Sequence, residues 1–349
     1  MRSAKSGREY DESDIRVRPA RTTQRRSKDR PDYSSLPKAF IVQVDRGRVL
    51  AITESGETVT AMKARELGKN SVVVGDEVLL DGDVSGNEGT LARIVNVKDR
   101  KNSLTRTIDD IGARERAIVA NVDLMIIVVA TTNPTPRTGL IDRALVIAFD
   151  QAITPILLIT KCDLASSKEL KDLYSPLNLE IFETEDRKLN SDIRSRLDGN
   201  RSVLIGHSGV GKSTFLNAIM GSELRAIGDV NDVTGRGRHT SSSAIAFALN
   251  KSDKAGENST SLSPDSFHDK SWLIDTPGVR SFGLRHIDPS RVVGAFEEFS
   301  EIIAKCRKNC SHNEPTCQLN QWVISNPKSA TRIASLRRLL ASDAAPSND

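Results

Sequence analysis

The stretch LLITKCDL, residues 157–164, is an apolar strand running into a Thr-Lys-x-Asp turn. An ionised carboxylate is a pure acceptor, so Asp163 can take hydrogen bonds from the N1–H and the exocyclic amine of guanine. Adenine offers no such donor pair. Lys161 would pack its stem on the base, and Thr160 stands where Asn is usual, keeping an oxygen but losing the amide. In ordinary GTP-binding domains this turn lies downstream of the phosphate-binding loop. Here the phosphate loop, GHSGVGKST at residues 206–214, comes after it. Either the turn is a coincidence, or the domain is an α/β nucleotide-binding fold with its parts in permuted order. A permuted order is physically tolerable because base, phosphate and switch turns all sit at the strand ends on one side of such a sheet.

The phosphate loop matches G-x-x-x-x-G-K-[ST] with Gly206, Gly211, Lys212 and Ser213. Glycines let the backbone curl so that its N–H groups face phosphate oxygens, and the following helix points its positive end at the anion. The candidate nucleotide-binding segment is therefore Gly206, His207, Ser208, Gly209, Val210, Gly211, Lys212, Ser213 and Thr214. Lys212 would bring a point charge to the β- and γ-phosphates, and Ser213 would ligate magnesium. DTPG, residues 275–278, ends an apolar strand; Asp275 can reach the magnesium and the Gly278 amide can sense the γ-phosphate. GRGRHTSSS contains the expected switch residue, Thr240, closing on magnesium when GTP is bound, with Ser241 as the alternative. Many GTPases place a Gln after D-x-x-G to orient the attacking water. Val279 occupies that position and cannot do so, which leaves His239, beside Thr240, as the best-placed catalytic candidate; contact with RNA or solvent is its other reading. An ATPase would use the same phosphate loop but leaves the 160–163 turn unexplained.

Around this core the grammar changes twice. Residues 1–36 read as a disordered basic tail, with seven basic residues and one acid between Arg16 and Arg30, suited to nucleic-acid phosphates or to solubility alone. Residues 37–105 alternate short apolar runs with turns such as DRG, ESGE and DGDVSGNEG. Five short strands in about 60 residues suggest an OB-fold barrel, with an SH3-like barrel as the near alternative. Residues 106–284 alternate strands and helices, with a polar, Ser-rich insertion near 250–270. Residues 285–349 turn helical: one helix is expected over PSRVVGAFEEFSEIIAKC and another over SATRIASLRRLLAS, with Arg332, Arg337 and Arg338 on its polar side. Between them CRKNCSHNEPTC supplies Cys306, Cys310, His312 and Cys317. Three thiolates and an imidazole make a closed tetrahedral zinc site with a structural role. No apolar run approaches the roughly 18–20 residues of a membrane span, and there is no secretory signal, so a cytoplasmic protein with no membrane association is expected. A monomer is the expected state.

The ordered series VVVGDEV, ANVDLMIIV, IDRAL, TKCDL, GHSGVGKSTFLNAI, GRHT, LIDTPGVRSFGL and CSHNEPTC resembles the circularly permuted GTPases of the bacterial ribosome-small-subunit-dependent GTPase A family. The resemblance covers roughly residues 39–340 and leaves the basic tail outside it. It implies an N-terminal all-β OB-fold barrel, a central permuted P-loop GTPase and a C-terminal, mostly helical zinc-binding domain. It also implies GTP and GDP as ligands, magnesium with GTP, one structural zinc, and the small ribosomal subunit and its rRNA as partner, with subunit-stimulated hydrolysis late in subunit maturation. The barrel contains one aromatic, Phe40, so contacts to phosphates are expected rather than base stacking. The run KDRKNSLTR, residues 98–106, and the three arginines of the last helix are the expected contacts. The chain departs from the family pattern at Thr160, in the length of the 250–270 insertion, and in three residues, rather than four, between Cys306 and Cys310. The Ser/Ala signature that backs the guanine site is not evident between Leu177 and Leu197, where Thr184 is the only suggestion.

Overall fold

A computed structural model describes residues 33, 35–45, 47–68, 71–107, 115–185, 191–220, 244–249, 266–268, 270–276 and 288–344. His239, Thr240, Ser241, Gly278, Val279, nearly all of the basic tail and most of the 250–270 insertion lie outside the described residues.

The first five strands are β1 (Lys38–Asp45), β2 (Arg48–Thr53), β3 (Thr58–Lys63), β4 (Glu77–Gly82) and β5 (Ala92–Val97). They run in the order 1-2-3-5-4 and close through β1–β4, with β3 parallel to β5 and the other pairs antiparallel. This closed Greek-key path is the OB arrangement and settles the choice against an SH3-like barrel. Strict alternation explains it: Val49, Ala51, Val59, Ala61, Val78, Leu80, Ala92 and Ile94 point inward, while their neighbours face out. Many are alanine or valine because a five-stranded barrel leaves little interior room.

The second sheet contains β8 (Leu124–Ala130), β9 (Thr154–Thr160), β10 (Glu180–Glu183), β11 (Arg201–Ile205), β12 (Ile245–Leu249) and β13 (Ser271–Asp275), in the order 10-9-8-11-13-12. All pairings are parallel except β12–β13. All seven residues of β8 are buried, as a central strand covered on both faces requires. Its alternate residues feed two cores. Met125, Ile127 and Val129 join the core under α1 (Thr138–Asp150), and Leu124, Ile126, Val128 and Ala130 join the one with Phe215, Leu216 and Ile219 of the helix α4 (Lys212–Met220). Two short helices complete the two layers: α2 (Lys168–Tyr174) sends Leu170 and Tyr174 into the α1 core, and α3 (Ser191–Leu197) sends Ile193 and Leu197 into the α4 core. The barrel is continuous with this sheet: β1 pairs with β12 at Gln43↔Ile245, and Phe40 packs 4.6 Å from Trp272. A separate hairpin, β6 (Ser103–Thr107) with β7 (Glu115–Ala120), leans on the barrel through a Val74↔Val119 bridge.

The single helix expected over residues 289–306 is broken. It divides into α5 (Pro289–Gly294), a 3₁₀ turn (Glu297–Phe299) and α6 (Ser300–Ile303). Gly294 is a poor helix former, Phe296 leaves helical geometry (φ −116°, ψ 60°), and the Ser300 hydroxyl donates to Glu297 O. The break still sends Val292, Phe296 and Phe299 into one core. Helices α7 (Gln318–Ser325) and α8 (Ala330–Ala344) follow, and α8 packs across α1. Among the described residues no helix is long and apolar enough to cross a membrane.

Candidate nucleotide site and metal centre

The C-terminal ends of the parallel strands β8, β9 and β11 bring three turns together beside the end of β13. Gly206 leaves β11 so close to β8 that a Cβ there would lie 2.4 Å from Val128 O; only glycine fits. The loop then turns through Gly209 and Gly211, both at positive φ, into α4. Lys212 lies across it, its Nζ donating to Gly206 O at 2.6 Å and His207 O at 2.9 Å. Ser208, Ser213 and Thr214 are exposed at its rim.

Asp275 ends β13 in register with Leu204 of β11. Burial pushes its carboxyl above the ordinary range, and the Lys212 ammonium pulls in the opposite direction; burial likewise lowers Lys212, while Asp275 raises it. Asp275 Oδ1 is buried with no hydrogen-bond partner. An orphaned carboxylate oxygen beside a half-buried ammonium, under a loop of curled backbone, fits a cation and polyphosphate together.

The 160–163 turn sits against this loop. The Thr160 hydroxyl donates to Val210 O at 2.6 Å, so it is turned toward the phosphate loop. Lys161 adopts φ 59° and its ammonium donates to Asn133 O. Asp163 is exposed. Cys162 is half-buried, donating to Ile159 O, and burial raises its thiol. Thr184 is placed beside the same turn: its N–H donates to Ile159 O and its carbonyl accepts from Cys162 N. Residues 131–137, which the sequence reading did not single out, form the third turn. Thr131 Oγ1 donates to Lys161 O at 2.7 Å, and Pro134 lines a small cavity of about 20 Å³ with Gly206, His207 and Val210.

At the other end of the chain the ligating atoms of Cys306, Cys310, His312 and Cys317 lie within 4.8 Å of one another. Cys306 Sγ is 3.8 Å from Cys317 Sγ, and Cys317 Sγ is 3.9 Å from His312 Nδ1. A tetrahedron with metal–sulfur bonds of about 2.3 Å has sulfur–sulfur edges of about 3.8 Å, whereas a disulfide needs about 2.05 Å. The residues therefore fit a metal. Asn309 and His312, both at positive φ, flank Cys310 and fold the loop inward. Burial lowers the His312 imidazole, which favours the neutral ligand form. Arg337 of α8 donates to His312 O at 2.8 Å and to Asn320 Oδ1 at 2.6 Å, and Asn320 in turn holds Glu314 O and Pro315 O.

This corrects the expectation that the three α8 arginines face phosphates. Arg337 braces the metal loop. Arg338 pairs with Asp142, and Arg332 binds Glu298 and Pro176 O above the Phe296 ring. In the 98–106 run, Lys98, Arg100 and Lys101 are likewise paired, with Glu77, Asp76 and Asp123. The sequence shows that these residues are basic; only the fold shows which acceptors meet them.

The family model for RsgA GTPase matches residues 97–285. The chain belongs to the RsgA GTPase family. It is a GTP-hydrolysing enzyme with its motifs in circularly permuted order. The small ribosomal subunit biogenesis GTPase RsgA of Pseudomonas aeruginosa is 34% identical over 282 residues, 78% of this chain and 76% of that protein. The protein of the same name from Pseudomonas syringae pv. tomato is 32% identical over 325 residues, 89% of this chain and 86% of its own. In fold, the chain resembles the crystal structure of YjeQ from Thermotoga maritima (TM-score 0.60, 24% identity, 89% of this chain and 99% of that one). It also resembles the crystal structure of YloQ, a circularly permuted GTPase (TM-score 0.58, 21% identity, 91% of this chain and 99% of that one).

Proposed function

We propose that this RsgA-family GTPase binds the small ribosomal subunit and its rRNA, and hydrolyses GTP there with stimulation by the subunit, during late maturation. The observation that carries the reading is the junction of the two motifs: a guanine-type turn and a phosphate loop, in inverted chain order, are joined by the 2.6 Å bond from Thr160 to Val210 O. The subunit enters from the relatives, which are small ribosomal subunit biogenesis GTPases by name.

In this reading Asp163 accepts from guanine, Lys161 flanks the base, and residues Gly206–Thr214 wrap the phosphates. Lys212 leaves its loop carbonyls for the β- and γ-oxygens. Ser213 and Asp275, with Thr240, would hold magnesium, which when bound would supply positive charge to the phosphates. The Gly278 amide senses the γ-phosphate, and His239 orients water where Val279 cannot. Cys306, Cys310, His312 and Cys317 hold one zinc with a structural role. As a partner of ribosomal subunits the protein would work in the cytoplasm.

For rRNA phosphates this reading uses Arg106 and Arg116, which oppose each other across β6–β7. Like charges in register repel, and an anion between them relieves that cost. Together with two contacts from the basic arm, roughly four phosphates would be engaged, so affinity should fall about 50-fold between 50 and 200 mM salt at about 0.7 per contact. Co-sedimentation with separated subunits across that range tests this. Salt-sensitive pelleting with the small subunit alone is expected; equal pelleting with the large subunit, or a flat salt response, would contradict it.

A further inference from the structure

The turn that presents Asp163 is held from beneath by two threonine hydroxyls. Thr160 is 5% exposed, and its hydroxyl donates to Val210 O at 2.6 Å, with Val129 O a poorer second acceptor at 3.3 Å. A hydroxyl has one proton to give. Thr160 therefore anchors the phosphate loop and has no further donor for the turn, whereas a side-chain amide at this position would carry two. The donor to the turn comes from the end of β8. Thr131 Oγ1 donates to Lys161 O at 2.7 Å, and Thr131 N donates to Thr160 O at 3.0 Å. The Lys161 ammonium returns to Asn133 O on the same loop.

Lys161 needs this bracing. Its φ of 59° is a left-handed conformation that a residue with a side chain adopts only at a cost. The Lys161 carbonyl also accepts from Leu164 N at 2.9 Å, closing the turn in which Asp163 sits. Releasing that carbonyl lets the turn relax and moves the carboxylate that must meet two donors on one base edge at once.

We propose that Thr131 is a positioning residue for guanine recognition: it fixes the Lys161 carbonyl, while Thr160 fixes the phosphate loop, so that Asp163 is aimed relative to the bound phosphates. The proposal rests on Asp163 being the guanine acceptor.

The test measures dissociation constants of GDP, IDP and ADP, with magnesium, for the full chain carrying Thr131→Val, Thr131→Ala or Thr131→Ser. IDP lacks the exocyclic amine and so reports on one of the two Asp163 bonds. Val preserves the branched shape, so a change is assigned to the lost proton; Ala covers the case in which Val misfolds. GDP affinity should fall about tenfold in both, IDP affinity less, and ADP affinity little, so that the GDP/ADP ratio collapses while Ser restores it. Equal losses for GDP and ADP would show a merely structural loop and overturn the proposal, as would an unchanged ratio in both variants. A wild-type protein without preference for GDP over ADP would overturn the Asp163 reading itself, and the proposal with it.

Discussion

Replacing Arg338 with Met should destabilise the protein by about 3 kcal/mol at neutral pH. Arg338, on α8, donates through Nε to Asp142 Oδ2 of α1 at 2.9 Å, its guanidinium carbon 5.2 Å from the Tyr174 ring centre. The Asp142 side chain is 5% exposed and that of Arg338 28%. Asp142 Oδ1 and Arg338 Nη2 make no hydrogen bond, so one bond carries the pair. Two unit charges about 4 Å apart attract by about 4 kcal/mol at an effective dielectric of about 20. Removing one member of such a pair leaves a buried charge and costs about 3–5 kcal/mol, of which partial exposure selects the lower end. Met keeps most of the apolar stem, so lost packing adds little. The cost has a pH signature. Burial already holds the Asp142 carboxyl above its usual range and Arg338 opposes that; without Arg338 the carboxyl rises further in the folded state only. Over the interval between the unfolded and folded values the native state then binds more protons than the unfolded one, and stability falls as pH rises. Urea titrations should show a small cost near the unfolded aspartate value of about 4 and the full cost at neutral pH. Asp142→Asn should recover part of the loss in the double variant. A neutral-pH cost under about 1 kcal/mol, or a cost independent of pH, would refute this account of how α8 is fixed to the GTPase core.

Purified protein should carry one zinc per chain by atomic absorption, and Cys310→Ala should abolish it. With the loop released, hydrogen exchange in α7 and α8 should quicken while GDP affinity stays within about threefold; retained zinc or a protected α8 would contradict the closed structural site. His239→Ala should slow subunit-stimulated single-turnover hydrolysis at least tenfold, a modest value for a lost water-orienting group, with GTP affinity unchanged. An unchanged rate would remove His239 from the mechanism.

The central sheet and the two sites were legible wherever local chemistry is strong. LMIIVVA can only be a strand covered on both faces, and it is. Gly206 had to be glycine because β8 leaves no room for a Cβ. The Cys306–Cys317 spacing announced a metal site whose sulfur separations agree with one. What stayed hidden depends on long-range partners. Residues 98–106 read as a basic run, hiding β6 at its end, because the opposing strand and the Val74↔Val119 bridge are tertiary features. Thr131 carries no motif, and its hydroxyl acquires meaning only when parallel pairing sets β8 beside β9. The apolar spacing of residues 292–303 is shared by one helix and by the three shorter pieces, so periodicity could not distinguish them. Thr184 was faint because β10 is four residues long and half-exposed, with glutamates at both ends.

Single-turnover hydrolysis of GTP by the full chain, alone and with saturating purified small or large ribosomal subunits, tests the central claim most directly. The account predicts slow turnover alone, as expected without a glutamine after the D-x-x-G turn, and at least tenfold acceleration by the small subunit only, well within the range seen when a partner completes a GTPase site. Equal rates in all three conditions, or acceleration by the large subunit instead, would contradict it.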